Sequence, residues 1–287
     1  MKPPAYSVTL LGTGNVATHF GLAMARCGFD VQCVYGRDME KATRLAHQIA
    51  MATTSAAADA AASEGSDSKP LAVCQICDIP ATCLVLLCVS DDAIGTLAHE
   101  VAAHYRNRFG NDTLASTIFA HTAGSVTLSV LEGVAQKCGV IYPLQTLSRT
   151  RETDFSRVPL FIEGSDDATL SHLEKIARTL SCNVTPLNSA GRRNLHLAAV
   201  FACNFPNALF GIAERLLTEA GVDFRLLDPL VRETADKFLT MGAQASQTGP
   251  AARGDKGVMA RHEEMLAGSP AELEIYRAIS RYIQSLR

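Results

Sequence analysis

The first two thirds of the chain alternate short apolar runs with amphipathic stretches. Residues 7–11 are β-type and stop at Gly12. Residues 16–27 carry apolar positions at helical spacing and end before Gly28, a fitting helix C-cap. Residues 31–35 read as a second strand closed by Gly36, and 39–50 as a second helix, which makes one strand–helix–strand unit. After Pro70 the alternation resumes, with strands predicted at 71–74, 83–89, 117–120, 140–142, 159–162 and 184–187 and helices between most of them. The run 83–89 is almost wholly apolar, as in a strand covered on both faces. This alternation predicts an α/β domain with a doubly wound, mostly parallel sheet.

From 189 to 287 the pattern holds helices and loops only, so a boundary is placed near 188: residues 1–188 form the α/β domain and 189–287 an all-helical one. Residues 189–221 read as one long helix, 224–241 as a second, and 258–266 and 270–286 as two more. At 3.6 residues per turn, His196, Val200, Cys203, Asn207, Gly211 and Glu214 share a stripe, with Asn204 at its edge. Ala198, Phe201, Phe205, Ile212 and Leu216 take the opposite face, which reads as core. Pro206 lacks a donor and frees the carbonyl of residue 202, so a kink is expected there. Residues 51–69 are mostly Ala, Ser, Thr, Asp and Gly and predict a mobile surface insertion.

Composition narrows the class. With 287 residues, 47% hydrophobic and 19% charged, the chain can core two domains. A net charge of −3 without a polybasic run argues against a nucleic-acid partner. No run of about 18 apolar residues is present, so no membrane span is expected, and the start lacks the apolar stretch of a signal peptide. Cys33, Cys83, Cys88 and Cys203 sit in apolar runs, the pattern of buried reduced thiols, which predicts a cytoplasmic protein. The pair Cys74 and Cys77 has no second pair at metal spacing, so no metal site is assigned.

Chemistry enters at Gly12-Thr13-Gly14-Asn15-Val16-Ala17, a G-x-G-x-x-A string between a strand and a helix inside the strand–helix–strand unit. Gly12 permits the tight turn, Gly14 lets the backbone approach a pyrophosphate, and Ala17 lets the helix pack close to the strand. The helix start offers free N–H groups to phosphates. This context predicts a Rossmann-type nicotinamide-dinucleotide domain. The second strand ends in Tyr35-Gly36-Arg37-Asp38. Arg37 falls where a guanidinium clamps a 2′-phosphate, and Asp38 is one residue late for the ribose hydroxyls, so NADP is favoured over NAD. Arg37 also fits a solvated surface arginine. Val89 and Ser90 at the end of the fourth strand, and His121 after the fifth, are assigned to the cofactor. Ser90 and Asp91 fit a helix N-cap equally well, and His121 fits an ordinary strand-end histidine.

In the helical half, His196, Asn204 and Asn207 are assigned to catalysis: His196 to exchange a proton near neutral pH and the asparagines to orient substrate. Packing explains the three as well as function does. Ser125, in His121-Thr122-Ala123-Gly124-Ser125, is assigned to substrate. So are Gln247, Thr248, Arg253 and Asp255 in the polar loop 247–255, with Arg253 to hold an anionic group. A simple connector is the other reading of that loop.

The glycine string with Thr18 and His19, the 121–125 string, Tyr142-Pro143-Leu144-Gln145-Thr146, the segment 195–204 and the loop 247–255 together resemble a Rossmann-like oxidoreductase family with a C-terminal domain of unknown function. The architecture is also similar to pyrroline-5-carboxylate reductase and the 6-phosphogluconate dehydrogenase superfamily. The resemblance implies a helical domain that dimerises and a substrate cleft between the domains. The chain departs from the β-hydroxyacid dehydrogenases of that superfamily at Val200, where they carry a catalytic lysine. The function expected is hydride transfer between NADP and a carbonyl or imine carbon of a small molecule. The alternatives are a non-catalytic NADP(H)-binding sensor or partner-binding dimer, and an imine reductase like pyrroline-5-carboxylate reductase.

Overall fold

The computed structural model describes residues 6–59 and 69–286. The chain opens with β1 (Ser7–Leu11), α1 (Asn15–Arg26), β2 (Asp30–Tyr35), α2 (Met39–Asp59), β3 (Leu71–Val73) and β4 (Leu84–Leu87). There follow α3 (Ile94–Phe109), α4 (Asn111–Ser116), β5 (Ile118–His121), β6 (Lys137–Pro143), β7 (Leu160–Gly164), α5 (Asp167–Leu180) and β8 (Val184–Pro186). The eight strands lie in the order β3-β2-β1-β4-β5-β6-β7-β8, every neighbouring pair parallel except β6 with β7. This is the doubly wound sheet that the alternation predicts.

Both faces are covered, which explains the uninterrupted apolar run of β4. Leu84 and Leu86 join Val8 and Leu10 in one core with α1, α2 and α5, while Val85 and Leu87 join Leu11 and Phe119 in another with α3. The helix α2 corrects the expected insertion: residues 51–59 continue it, because alanine is the best helix former and Thr53 and Thr54 return hydrogen bonds to the carbonyls of Ile49 and Ala50. Residues 60–68 of that expectation lie outside the described residues. All nine cysteines are free thiols. Cys33 and Cys88 are buried as expected, but Cys83 and Cys203 are exposed: Cys83 precedes β4, outside its covered span, and Cys203 sits on an exposed helix.

The rest of the chain is helical: α6 (Ser189–Ala199), a π turn (Val200–Asn204), α7 (Phe205–Glu219), α8 (Asp228–Ser246), α9 (Pro250–Arg253), α10 (Lys256–Met265) and α11 (Pro270–Ser285). The kink expected at Pro206 takes the form of this π turn, after which Pro206 sits in the first turn of α7, where no donor is needed. The extra residue in the turn breaks the stripe expected from His196 to Glu214, which assumed 3.6 residues per turn throughout.

Two compact units divide the chain, residues 1–202 and 203–287. The second has almost no core of its own: only Ala251, Leu266 and Ser280 are buried in it among the described residues. The face expected to be core is open to solvent at Phe201, Phe205 and Leu216. Among the described residues one helical stretch, Ser189–Glu219, is long and apolar enough to cross a membrane by length and composition.

Candidate functional site

The chain leaves β1 through Gly12, whose N–H donates to the Tyr35 carbonyl at 2.8 Å. A Cβ here would fall on the Cys88 carbonyl oxygen and lie 2.9 Å from its carbon, and φ is +123°, so glycine alone fits. Gly14 is the N-cap of α1. No side chain caps the helix, and a Cβ on Gly14 would meet nothing within 4 Å. The first N–H groups of α1 are thus left without a side-chain cap at the positive end of the helix dipole, beside an open approach at Gly14, an arrangement that fits a dinucleotide pyrophosphate. Ala17 is buried against the sheet, but the tightest approach is at Gly21, where a Cβ would lie 2.6 Å from Ile49 Cδ1 and 2.9 Å from Leu10 Cδ1. The motif stops before Gly21, although a glycine one turn further on was a visible signal. Asn15 uses its side chain to donate to the Leu147 carbonyl, and His19 Nε2 lies 2.9 Å from the Ser148 carbonyl, so both hold the loop after β6. Thr13 abuts Gly36, and Val16 packs half-buried on the core.

At the end of β2, Arg37 is exposed and makes no ion pair among the described residues. Asp38 is committed to its own helix: its carboxylate accepts from the Lys41 N–H and pairs with the Lys41 ammonium, both at 3.2 Å, and these hydrogen bonds hold its pKa below the usual range. Arg37 is thus the free charge at this strand end.

The ends of β4, β5 and β6 form a continuous row beside the glycine turn. Val89 flanks Gly12. Ser90 takes the N-cap position of a short 3-10 turn, with no capping hydrogen bond from its side chain. Asp91 accepts the Ser125 hydroxyl, tying the loop after β4 to the loop after β5. Gly124 then permits a close meeting: a Cβ there would stand 2.6 Å from His196 Nδ1 and 2.8 Å from Tyr142 Cζ. The Tyr142 hydroxyl and His196 Nδ1 share a 3.0 Å hydrogen bond, with the rings edge to face. Tyr142 is buried, which raises its pKa, while the Arg192 charge opposes that rise. His196 is half-buried, and its Nε2 makes no hydrogen bond among the described residues. The sequence pattern alone assigns Tyr142 no role. A tyrosine at a strand's carboxyl end was the available signal.

His121 is fully buried rather than open at the strand end. Its Nδ1 accepts from the Ala123 N–H at 3.2 Å, so the ring shapes the loop that carries Gly124 and Ser125. Burial first, and the charge of Arg192 second, push its pKa down from 6.5 to about 4. The unfolded chain therefore takes up a proton before the folded one as pH falls. The stability linked to His121 is complete above pH 6.5 and is lost between 6.5 and about 4, a change of about 3 kcal/mol. Urea unfolding at pH 7.5 and 4.5 is expected to show that fall in the wild type and a smaller one in His121→Gln. Equal falls in both would remove His121 as the cause.

Arg192, fully buried on α6, donates to the Glu163 carboxylate, to the Val126 carbonyl at 2.5 Å and to Ser189 Oγ at 3.2 Å. Neither Arg192 nor Glu163 was singled out in the sequence. In the second unit, Asn204 and Asn207 are exposed on their helix. The loop expected at 247–255 is partly the helix α9. Gln247 donates to the Thr248 carbonyl, and Asp255 caps α10 through the Val258 N–H at 3.1 Å. The Asp255 carboxylate is therefore occupied locally, while Arg253 is exposed without an ion pair among the described residues. The row in the first unit brings together Gly12, Val89, Ser125 and His196. The remaining catalytic and substrate candidates belong to the second unit.

Residues 158–283 match the model of a domain of unknown function, DUF2520. No curated protein matches the chain. Among solved structures it is similar to a candidate NADP oxidoreductase from Bacteroides fragilis, at 33% identity over 98% of each chain with a TM-score of 0.84. It shares its fold with a pyrroline-5-carboxylate reductase from Coxiella burnetii (14% identity, 97% of this chain and 98% of that one, TM-score 0.53). It also shares it with an imine reductase from Myxococcus stipitatus in complex with NADP+ (13% identity, 97% and 92%, TM-score 0.59). The chain belongs to the family of Rossmann-type NADP oxidoreductases whose C-terminal part is this domain of unknown function.

Proposed function

We propose that the chain is an NADP-dependent oxidoreductase acting on a carbonyl or imine carbon of a small molecule. The observation that carries this reading is the row at the carboxyl ends of β1, β4, β5 and β6, which sets an open anion cradle beside a held histidine. Residues Gly12 to Ala17 hold the pyrophosphate, Arg37 holds the 2′-phosphate, and Val89 and Ser90 flank the nicotinamide side. The cofactor, when bound, supplies or accepts hydride. His196 delivers or takes the substrate proton at Nε2, with Nδ1 held by Tyr142. The two fold neighbours that act on imines put cyclic imines first in a substrate screen.

The test is a parallel titration with NADPH and NADH, followed by turnover read at the NADPH absorbance. Tighter binding of NADPH is expected. In Arg37→Ala, NADPH affinity drops roughly 10- to 100-fold, the worth of one lost charge-assisted hydrogen-bonded contact, while NADH affinity holds. Equal losses for both cofactors would remove Arg37 from the phosphate site. Binding without turnover over a wide panel of carbonyls and imines would favour the sensor.

Two copies pair through the second unit. Every residue of α8 except Val231 and Ser246 is exposed, with Leu230, Phe238, Leu239 and Met241 each more than half open to solvent. Burying one such side chain is worth about 1.5–3 kcal/mol, and a unit with three buried residues lacks that gain within one chain. Sedimentation is expected to give twice the chain mass. A monomer, or a chain that sediments only with lipid vesicles, would overturn the pairing. The free thiols suit a cytoplasmic location.

A further inference from the structure

The helix α6 touches the sheet at two points one turn apart. Arg192 and His196 are four residues apart and so share a helix face, about 6 Å from each other. Arg192 meets Glu163 on β7, and His196 meets Tyr142 on β6. In the antiparallel register Val140 pairs with Glu163 and Tyr142 with Phe161. Glu163 and Tyr142 therefore lie on one face of the sheet, offset by two residues along the strands, roughly 6.8 Å. The spacing on the helix matches the spacing on the sheet. The loop after β5 runs past α6 in the opposite sense with the same step: Gly124 lies at His196, and the Val126 carbonyl accepts from Arg192.

Apolar packing alone tolerates a shift of a helix along a sheet. A buried guanidinium does not, because the hydrogen bonds that its two terminal nitrogens make to Glu163, Val126 and Ser189 can be formed at one position only. Glu163 strengthens the lock by also accepting from the Ser189 N–H at 2.9 Å and the Ser189 hydroxyl at 2.7 Å, at the first residue of α6.

We propose that Arg192, locked to Glu163 and the Val126 carbonyl, is a positioning residue that sets the register of α6 on the sheet and thereby presents His196 to Tyr142 beside Gly124. Its bearing on turnover rests on the proton role proposed for His196, while the register itself does not.

The test compares the wild type with Arg192→Met/Glu163→Gln and with Arg192→Lys. The double variant removes the charge pair while leaving Ser189 an acceptor, so no buried charge is orphaned. The readout is the His196 ring by nitrogen-15 NMR, with its tautomer and its NOE to the Tyr142 ring, alongside NADPH affinity. In the double variant, loss of the NOE and mixed tautomers are expected, with NADPH affinity within twofold of wild type. On a turned-over substrate, kcat falls 10- to 100-fold with the KM for NADPH unchanged. Lysine keeps the charge but not the forked contacts, so partial retention of the NOE is expected. If the double variant does not fold, Arg192→Lys alone carries the test. A variant that keeps the wild-type His196 signature would overturn the proposal. If the wild type shows the His196–Tyr142 contact but binds no nicotinamide dinucleotide, the functional reading fails while the register proposal stands.

Discussion

Gly12→Ala is expected to cost about 4 kcal/mol of stability, from strain at positive φ added to overpacking. The new methyl would meet the Cys88 carbonyl, which is backbone of the central strand region and has nowhere to move. Thermal unfolding should fall by roughly 10 °C for a unit of this size. Gly14→Ala is the contrasting case. Its φ of −80° suits alanine, and its Cβ enters open space. Stability is expected to hold within about 0.5 kcal/mol, while NADPH affinity falls roughly 10- to 100-fold because the methyl stands where the pyrophosphate approaches the backbone. Calorimetric melting and cofactor titration on the same two variants separate the glycines. If Gly14→Ala binds NADPH as the wild type does, the cradle is misplaced.

The second large effect is on catalysis. In Gly124→Ala the methyl would lie 2.6 Å from His196 Nδ1 and 2.8 Å from Tyr142 Cζ. Tyr142 is held in the core and His196 is half-buried, so the imidazole gives way and loses its 3.0 Å bond. A positioned general acid contributes about 100- to 10,000-fold. His196→Ala is expected to lower kcat by roughly 100-fold or more, and Gly124→Ala to approach the same level with NADPH affinity retained. The double variant should be no worse than His196→Ala, since both changes remove one interaction. Full turnover by His196→Ala on a substrate found in the screen would end the proton role.

These two cases differ in how much the sequence disclosed of them. The glycine turn was legible because its causes are local: a strand, a tight turn and a helix start lie within a dozen residues. Even there, the reason that Gly12 must be glycine is the Cys88 carbonyl on another strand, and the close approach at Gly21 lay outside the motif. His196 was singled out by residue type, but its partner was not, since Tyr142 is 54 residues away in the chain. Asp255, assigned to substrate, also caps α10, a local role that its position three residues before Val258 signals.

The helical half shows the same division. Its helices were readable from periodicity, yet the apolar face of 189–221 read as core when it is exposed in the single chain. Hydrophobic spacing reports that a face will be covered and is silent on what covers it. By itself, the sequence determined the strand–helix alternation, the phosphate-binding turn and the switch to helices, because each depends on side chains close together along the backbone. Only the tertiary structure decided the π turn, the meeting of Gly124, Tyr142 and His196, and the lock of Arg192 on Glu163 and Val126. Those contacts join residues up to 72 positions apart, and they exist only once the docking of α6 on the sheet has chosen which distant groups become neighbours.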